Sequence, residues 1–146
     1  MSQSIYQWIW STFNSDSILA PLWGDPASNP YSVAAAQATG ATPPFPYMIY
    51  QVVGRKTFPV MGNAAGPGNT WIFSFKIWSQ GTNATSGADD CRTIADRVAS
   101  VLNQQMAPIG VQFCQLLLQL ERWDEQEKAY QIVMDFEIRE NLCNLG

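Results

Sequence analysis

One stretch near the end of the chain, Ala129 to Glu140, constrains the fold most strongly. Every second position in it is apolar, and the positions between them are almost all polar. The apolar positions are Tyr130, Ile132, Met134, Phe136 and Ile138. Because side chains on a β-strand alternate between two faces, the pattern predicts a strand with one buried and one wet face. Burying five such side chains contributes roughly 1.5–3 kcal/mol each before entropy is subtracted, so this strand requires a sheet beside it.

The bulk composition is that of a single globular domain. The chain has 146 residues, of which 47% are apolar and six are Trp, enough to build a core. The net charge is −4, and no Lys or Arg precedes Arg55, which argues against a basic nucleic-acid footprint. The first residues lack the basic region of a signal peptide and are too short and polar to span a bilayer. We therefore expect a protein made in the cytoplasm and not associated with a membrane.

Several kinds of catalytic or ligand site are disfavoured by what the sequence contains. There is no His, which removes His-based triads, general bases and metal ligands. The three cysteines, Cys91, Cys114 and Cys143, are widely spaced and odd in number, so free thiols are expected rather than zinc or redox chemistry. The glycine-rich stretch Gly54 to Asn69 lacks the GKS or GKT ending of a phosphate-binding loop.

Two acidic residues of the final strand form a candidate carboxylate pair. Asp135 and Glu137 share one strand face, about 7 Å apart between Cα atoms, a spacing compatible with paired carboxylates. Arg122 and Arg139 lie nearby in hairpin register, so a solvated or salt-bridged surface is the favoured interpretation. We expect no enzyme activity, no cofactor and no metal site.

Two segments show the spacing of amphipathic helices. The first, residues 3 to 14, is unusually aromatic. Its outward rings, Tyr6 and Trp10, are either overhang on a docked helix or anchors for a neighbouring subunit. The second spans about Gly87 to Gln105 and carries a continuous apolar stripe, ended by Pro108.

Four segments have strand patterns, at Tyr47 to Val53, Thr70 to Trp78, Val111 to Arg122 and Ala129 to Glu140. The last two are joined by a charged turn, Trp123 to Lys128, and form a β-hairpin. In the third strand one apolar face is predicted to hold Cys114, Leu116, Leu118 and Leu120.

Two predicted loops are too long to be simple connectors. The first is Gly24 to Pro46, in which Ser32 to Gln37 has the composition of one helical turn and the rest is loop. The second is Gly54 to Asn69, a loop or extended hairpin tip. It carries the basic and apolar residues Arg55, Lys56, Phe58, Val60 and Met61.

The order α-β-β-α-β-β predicts a two-layer α+β sandwich, a single domain over residues 1–146. Its mainly antiparallel four-stranded sheet is covered on one face by two helices. On the other face we expect Leu117, Val133 and either Ile49 or Tyr50. That face is more apolar than a solvated face usually is, which predicts oligomerisation.

Over residues 3 to 140 the chain resembles the tail terminator (tail completion, or head–tail joining) proteins of long-tailed bacteriophages. The resemblance lies in the aromatic first helix, the strand opening at Pro46 to Gln51, the strand WIFSFKIW, the helix containing CRTIADRVASVLN and the final strand YQIVMDFEIRE. The chain departs from the usual pattern in the long loop Gly24 to Pro46 and in the insertion Gly62 to Asn69.

The resemblance implies a ring, commonly of about six subunits, that caps the tail tube, stops its polymerisation and docks the neck or connector protein. DNA would pass through the channel, and an acidic lumen would not hold its phosphates. The expected locations are the virion tail or neck and, during assembly, the host cytoplasm. Candidate channel or seam charges are Asp135, Glu137, Asp124, Glu125 and Glu127. Candidate contacts with the tube or a neighbouring subunit are Arg55, Lys56, Phe58, Val60 and Met61, together with Tyr6 and Trp10.

Two alternatives stay open at this point. A tail tube subunit or a neck connector protein is the first, since these share small α+β folds and ring symmetry. A small module that binds a hydrophobic ligand against Trp71, Phe73 and Phe75 is the second.

Overall fold

The computed structural model describes residues 3–23, 31–32, 44–58, 68–80, 84–104 and 111–141. The elements are α1 (Gln3–Ser15), a 3-10 turn (Ala20–Leu22), β1 (Tyr31–Ser32), β2 (Tyr47–Phe58), β3 (Gly68–Ser79), α2 (Ala84–Gln104), β4 (Val111–Asp124) and β5 (Ala129–Asn141). The two helices and the four long strands follow one another in the predicted order, so the α+β class is confirmed.

The strands form one sheet in the order β1-β2-β3-β5-β4. The pairs β2–β3, β3–β5 and β4–β5 are antiparallel, whereas β1 pairs in parallel with β2 through Tyr31 opposite Ile49 and Ser32 opposite Tyr50. The expectation that Ser32 begins a helical turn is therefore wrong, because it lies in a short strand. Residues 33–37 lie outside the described residues.

The hairpin of β2 and β3 is longer than the sequence predicted. Pairing continues from Arg55 opposite Trp71 to Phe58 opposite Gly68, so residues 54–58 and 68–69 are strand, which fits the extended hairpin and not the loop. A register shift between Val52 and Gly54 is absorbed by a bulge, after which the ladder resumes. Continued pairing satisfies backbone N–H and C=O groups, which outweighs the weak strand propensity of this stretch.

The hairpin of β4 and β5 is also tighter than predicted. Trp123 and Asp124 pair with Tyr130 and Ala129 and so belong to β4, which leaves residues 125–128 as the turn. Lys128 closes that turn with a positive φ of 54°.

Both helices pack on the same face of the sheet, and the core lies between them and the sheet. Of the five apolar positions predicted for the buried face of β5, Ile132, Met134, Phe136 and Ile138 are at 0% exposure, whereas Tyr130 is half-buried. The stripe of α2 is buried opposite it. We call the sheet surface away from the helices the open face.

α1 packs by its aromatic side. Phe13 meets the ring of Phe75 edge-on, with ring centroids 5.8 Å apart and an interplanar angle of 86°. Ile9, like Phe13, is fully buried. Burial of this stripe orders a helix that contains no charged residue.

A salt bridge links the residue that follows α1 to α2. Arg97 donates from Nε and Nη2 to the two carboxylate oxygens of Asp16, each at 2.7 Å. The Arg97 guanidinium is the main reason that the pKa of Asp16 lies below its usual value of 3.8. The bidentate geometry fixes the direction in which the chain leaves α1.

The start of α2 lies very close to the end of β3. A Cβ atom added at Gly87 would lie 2.8 Å from the carbonyl oxygens of both Ser79 and Gln80. Only glycine permits this approach without displacing backbone.

Candidate subunit interface

A bulge in the middle of β4 decides which of its leucines reach the open face. Leu116 pairs with Phe136, but the next paired residue, Leu118, is opposite Asp135, so Leu117 has no register partner. Directly opposite residues share a sheet face. Leu118 therefore lies with Asp135 on the open face, while Leu116 lies with Phe136 on the core face.

The same bulge carries Leu120, opposite Val133, onto the open face. The prediction that Cys114, Leu116, Leu118 and Leu120 share one face is wrong, because one extra residue inverts the alternation after Leu116.

These leucines form an exposed apolar surface, which we call the β4 patch: Leu117, Leu118 and Leu120. Their exposed fractions are 48%, 48% and 53%. β4 is also the edge strand of the sheet that the structure describes, where it pairs with β5 on one side only. An edge strand with unpaired backbone groups and several exposed apolar side chains is a ready template for another chain.

The apolar character predicted for the open face extends inward from this patch. Val133 is half-buried beside Leu120, and of the two β2 candidates it is Ile49, opposite Lys76, that lies on this face. Tyr50 lies in the core instead, where burial raises its pKa to about 12.

The opposite corner of the open face is closed by its own side chains. Tyr47 stacks on Trp78 with ring centroids 4.9 Å apart, and Phe45, which precedes a cis Pro46, lies 5.3 Å from the Tyr47 ring. Ala129 completes this cluster. Burial first, then the nearby acidic residues of the turn, raises the pKa of Tyr47. This corner is internally packed and offers little surface to a partner.

Asp124, the last residue of β4, accepts hydrogen bonds that stabilise the turn after it. It accepts hydrogen bonds from the Trp78 indole at 3.1 Å and from the backbone N–H groups of Gln126 and Glu127 at 3.0 and 3.1 Å. The indole contact is the main reason that the pKa of Asp124 is lowered. Such contacts explain a structural role for this carboxylate, and its role at a channel or seam stays a prediction.

The other two candidate acids of the turn are less constrained. Glu125 is exposed and pairs with Lys128 at 2.8 Å, which lowers the pKa of Glu125. Glu127 is half-buried. Their predicted channel or seam role is likewise untested by the fold.

Asp135 and Glu137 do lie together on the open face. Asp135 is flanked by Ser74 on β3 and Leu118 on β4. Glu137 pairs with Arg139 at 3.5 Å. Both acids are half-buried, so they lie beside the β4 patch on a surface of mixed character.

Arg122 lies opposite Gln131, and its Nε donates to the Gln131 side chain rather than to a carboxylate of Asp135 or Glu137. The salt-bridged interpretation of this face therefore rests on Glu137 and Arg139.

Of the contact residues predicted after Val53, some lie in β2 and the others lie outside the described residues. Arg55 is exposed and lies over the Trp71 ring, with 5.5 Å between its Cζ and the ring centroid. Lys56 and Phe58 lie in β2. Val60 and Met61 lie outside the described residues.

The two α1 rings that were predicted to face outward, Tyr6 and Trp10, differ in how much of each is exposed. Tyr6 packs against the rings of Tyr50 and Phe73 at 5.6 and 5.5 Å, and its hydroxyl accepts from the Val52 N–H at 3.4 Å. Trp10 is 45% exposed, and its contact with a neighbouring subunit stays a prediction. An interface role for Trp10 fits the geometry better than one for Tyr6, whose ring is mostly engaged within the subunit.

The described thiols are internal. Cys91 donates to the carbonyl oxygens of Tyr130 at 3.3 Å and Ile77 at 3.7 Å, and burial raises its pKa to about 12. Burial raises the pKa of Cys114 to about 12 as well. Neither thiol is poised as a nucleophile.

The described part of the chain shows neither a metal site nor a membrane-spanning helix. No three of its Cys, Asp and Glu side chains are grouped so that they could hold a metal ion. None of its helices combines the length and apolar character needed to cross a membrane.

Comparison with known proteins shows that the fold of this chain is similar to that of a solved structure. No protein family model and no curated protein matches the chain. Among solved structures, the chain is similar to a chain of the "Virion of native gene transfer agent (GTA) particle", with a TM-score of 0.59 and 13% sequence identity. The match covers 90% of this chain and 90% of that chain. The two chains therefore share a fold along nearly their whole lengths.

Proposed function

We propose that this chain is a structural virion protein whose copies form a ring that caps the phage tail tube, terminates its polymerisation and joins the tail to the head connector. The fold shared with a virion chain supports a structural role in a phage-like particle. The finer role of tail terminator is supported by the sequence pieces that resemble that family.

The observation that carries the proposal is the β4 patch. A soluble monomer seldom exposes several neighbouring leucines on a long unpaired edge strand. Assembly with other protein chains removes both the apolar surface and the unpaired edge from water. In a ring, every subunit has a neighbour that can cover such an apolar surface and pair with such an edge strand.

The chemistry of the described residues is compatible with a passive conduit. The buried thiols have raised pKa values, and the acids of the open face are paired or flanked by structural side chains. We propose a non-catalytic protein whose net charge of −4 disfavours adhesion of DNA.

The first test is particle shape. The purified protein is imaged by negative stain and its mass is measured by light scattering. The proposal predicts a closed annulus of about six copies. Long tubes formed by this protein alone would identify a tube subunit, and a monomer carrying a hydrophobic molecule would support the ligand-binding alternative.

The described structure offers little accessible surface for the ligand-binding alternative. Trp71, Phe73 and Phe75, which would hold the ligand, are at most 5% exposed, and rings of α1 pack against Phe73 and Phe75.

The second test concerns the open-face acids. The double substitution of Asp135 and Glu137 by Lys is compared with Asp89→Lys, a charge reversal on the exposed side of α2. We expect impaired ring assembly or DNA passage only in the double variant, because it places positive charge beside the β4 patch. Unchanged assembly and DNA passage would show that these acids lie at neither the channel nor the seam.

A further inference from the structure

Both edges of the sheet carry a bulge at the same level. One register row crosses all four long strands, from Val52 through Phe73 and Phe136 to Leu116. The residue after each end of this row, Val53 on β2 and Leu117 on β4, has no register partner. These two residues are 53% and 48% exposed.

Among the described residues, both edges of the sheet are also open over most of their length. β1 pairs with β2 only at Ile49 and Tyr50, so the outer side of Gln51–Phe58 has no strand beside it in the described part of the chain. In the same described ranges, β4 has a strand beside it on its β5 side only. Eight residues of free edge on β2 correspond to about 26 Å at the usual rise per residue.

The direction of the strands suits a repeat of the same sheet. β2, β3, β5 and β4 alternate in direction, so β4 runs antiparallel to β2. If a second copy in the same orientation is placed beside β4, its β2 runs antiparallel to that strand. The two exposed bulge residues then lie at the same level.

We propose that the outer edge of β4 in one copy pairs with the outer edge of β2, residues 51–58, in a second copy of this chain, with Leu117 and Val53 meeting at the seam. This inference rests on the proposed ring. The two edges are unlike, so the contact is head-to-tail and closes into a ring when the rotation per copy permits. Pairing satisfies the open backbone groups, as in β-strand addition, and buries an exposed apolar residue from each side.

The opposite arrangement, β4 against β4 of the second copy, is a two-fold contact. It would bury the β4 patch against itself, leave the β2 edge open and stop at a dimer. The seam therefore predicts which pairs of positions can be crosslinked.

The test uses engineered disulfides in the full chain with Cys143 replaced by Ser. The test variant combines Val53→Cys with Leu117→Cys, and the control variant combines Leu117→Cys with Asp89→Cys on the exposed side of α2. Each single variant is also made. After mild oxidation, denaturing electrophoresis counts the linked chains, since a disulfide forms only where Cβ atoms approach within about 4.5 Å.

The seam predicts a ladder of linked chains up to the full ring for the test variant, and single chains for the control and both single variants. A dimer from Leu117→Cys alone would overturn the head-to-tail contact. Rings that form normally but yield no ladder would overturn the seam and leave the ring intact. An unmodified protein that forms no ring would refute the proposed function itself, and the seam with it.

A second measurement does not depend on crosslinking. Leu118→Lys adds a charge to the open side of the β4 patch, whereas Gln119→Lys alters the neighbouring exposed residue on the other side of the strand. We expect Leu118→Lys to raise the concentration at which rings dissociate about tenfold or more, and Gln119→Lys to leave it nearly unchanged. Equal behaviour of the two variants, with native-like circular dichroism in both, would overturn the seam.

Discussion

Replacement of Gly87 by Ala tests how closely α2 approaches the end of β3. The added Cβ would lie 2.8 Å from two backbone carbonyl oxygens, at Ser79 and Gln80. Backbone cannot swing aside as the end of a flexible side chain can. Overpacking of this kind costs about 1–3 kcal/mol.

A competing effect has the opposite sign. Ala in a helix is favoured over Gly by about 0.5–1 kcal/mol, and less of that gain applies to Gly87 because it lies in the first turn of α2. The clash is therefore expected to win, with a net loss of about 1–2 kcal/mol in the free energy of unfolding.

The assay is urea unfolding followed by tryptophan fluorescence at one fixed protein concentration, since assembly makes stability concentration-dependent. With a slope of about 2 kcal/mol per molar urea, the midpoint should fall by about 0.5–1 M. Gly54→Ala is the matched control, because its Cβ would lie 4.0 Å from Ile72 Cγ1, an ordinary contact. A Gly87→Ala protein as stable as the native chain would refute the close approach.

Three further predictions concern the core and the Asp16–Arg97 salt bridge. Phe75→Ala should lower the free energy of unfolding by about 3–5 kcal/mol, because this fully buried ring contacts four other aromatic rings, and calorimetry or urea unfolding measures the loss. Asp16→Asn should lose stability at pH 7 but converge with the native protein at low pH: the lowered pKa makes the Asp16–Arg97 pair stabilising above the usual value of 3.8, and that contribution is lost as pH falls through the folded-state pKa. A constant gap between the two proteins down to pH 2 would contradict this. Cys91, with its pKa raised to about 12 by burial, should resist iodoacetamide at pH 8 in the native protein and react in urea, as read by peptide mass mapping.

The sequence predicted best those elements whose pattern is local. In β5 the strict alternation identified the core face, and Ile132, Met134, Phe136 and Ile138 are all fully buried. The stripe of α2 was equally clear, because helical spacing and burial agree there.

The β4 patch was only partly predictable. Leu116, Leu117 and Leu118 are consecutive apolar residues, so alternation cannot tell where an extra residue enters the strand. The position of the bulge is set by pairing with β5, which is a non-local contact. The run of three leucines is nevertheless the signal that an alternating strand is interrupted.

Other differences also arise from contacts between distant residues. The extension of β2 through Arg55 depends on β3 and is not marked by alternation. The indole of Trp78 lies 46 positions from Asp124 in sequence, so the structural use of this carboxylate could not be read locally. β1 is two residues long and carries no periodic pattern at all.

The central claim is that this protein ends a growing tube. The most direct test adds it in increasing amounts to purified tail tube protein during polymerisation and measures tube lengths and end structures by electron microscopy. We expect shorter tubes at higher ratios, each with one ring at its end and no incorporation along the wall. Tubes of unchanged length with bare ends, or copies of this protein distributed along the tube, would contradict it.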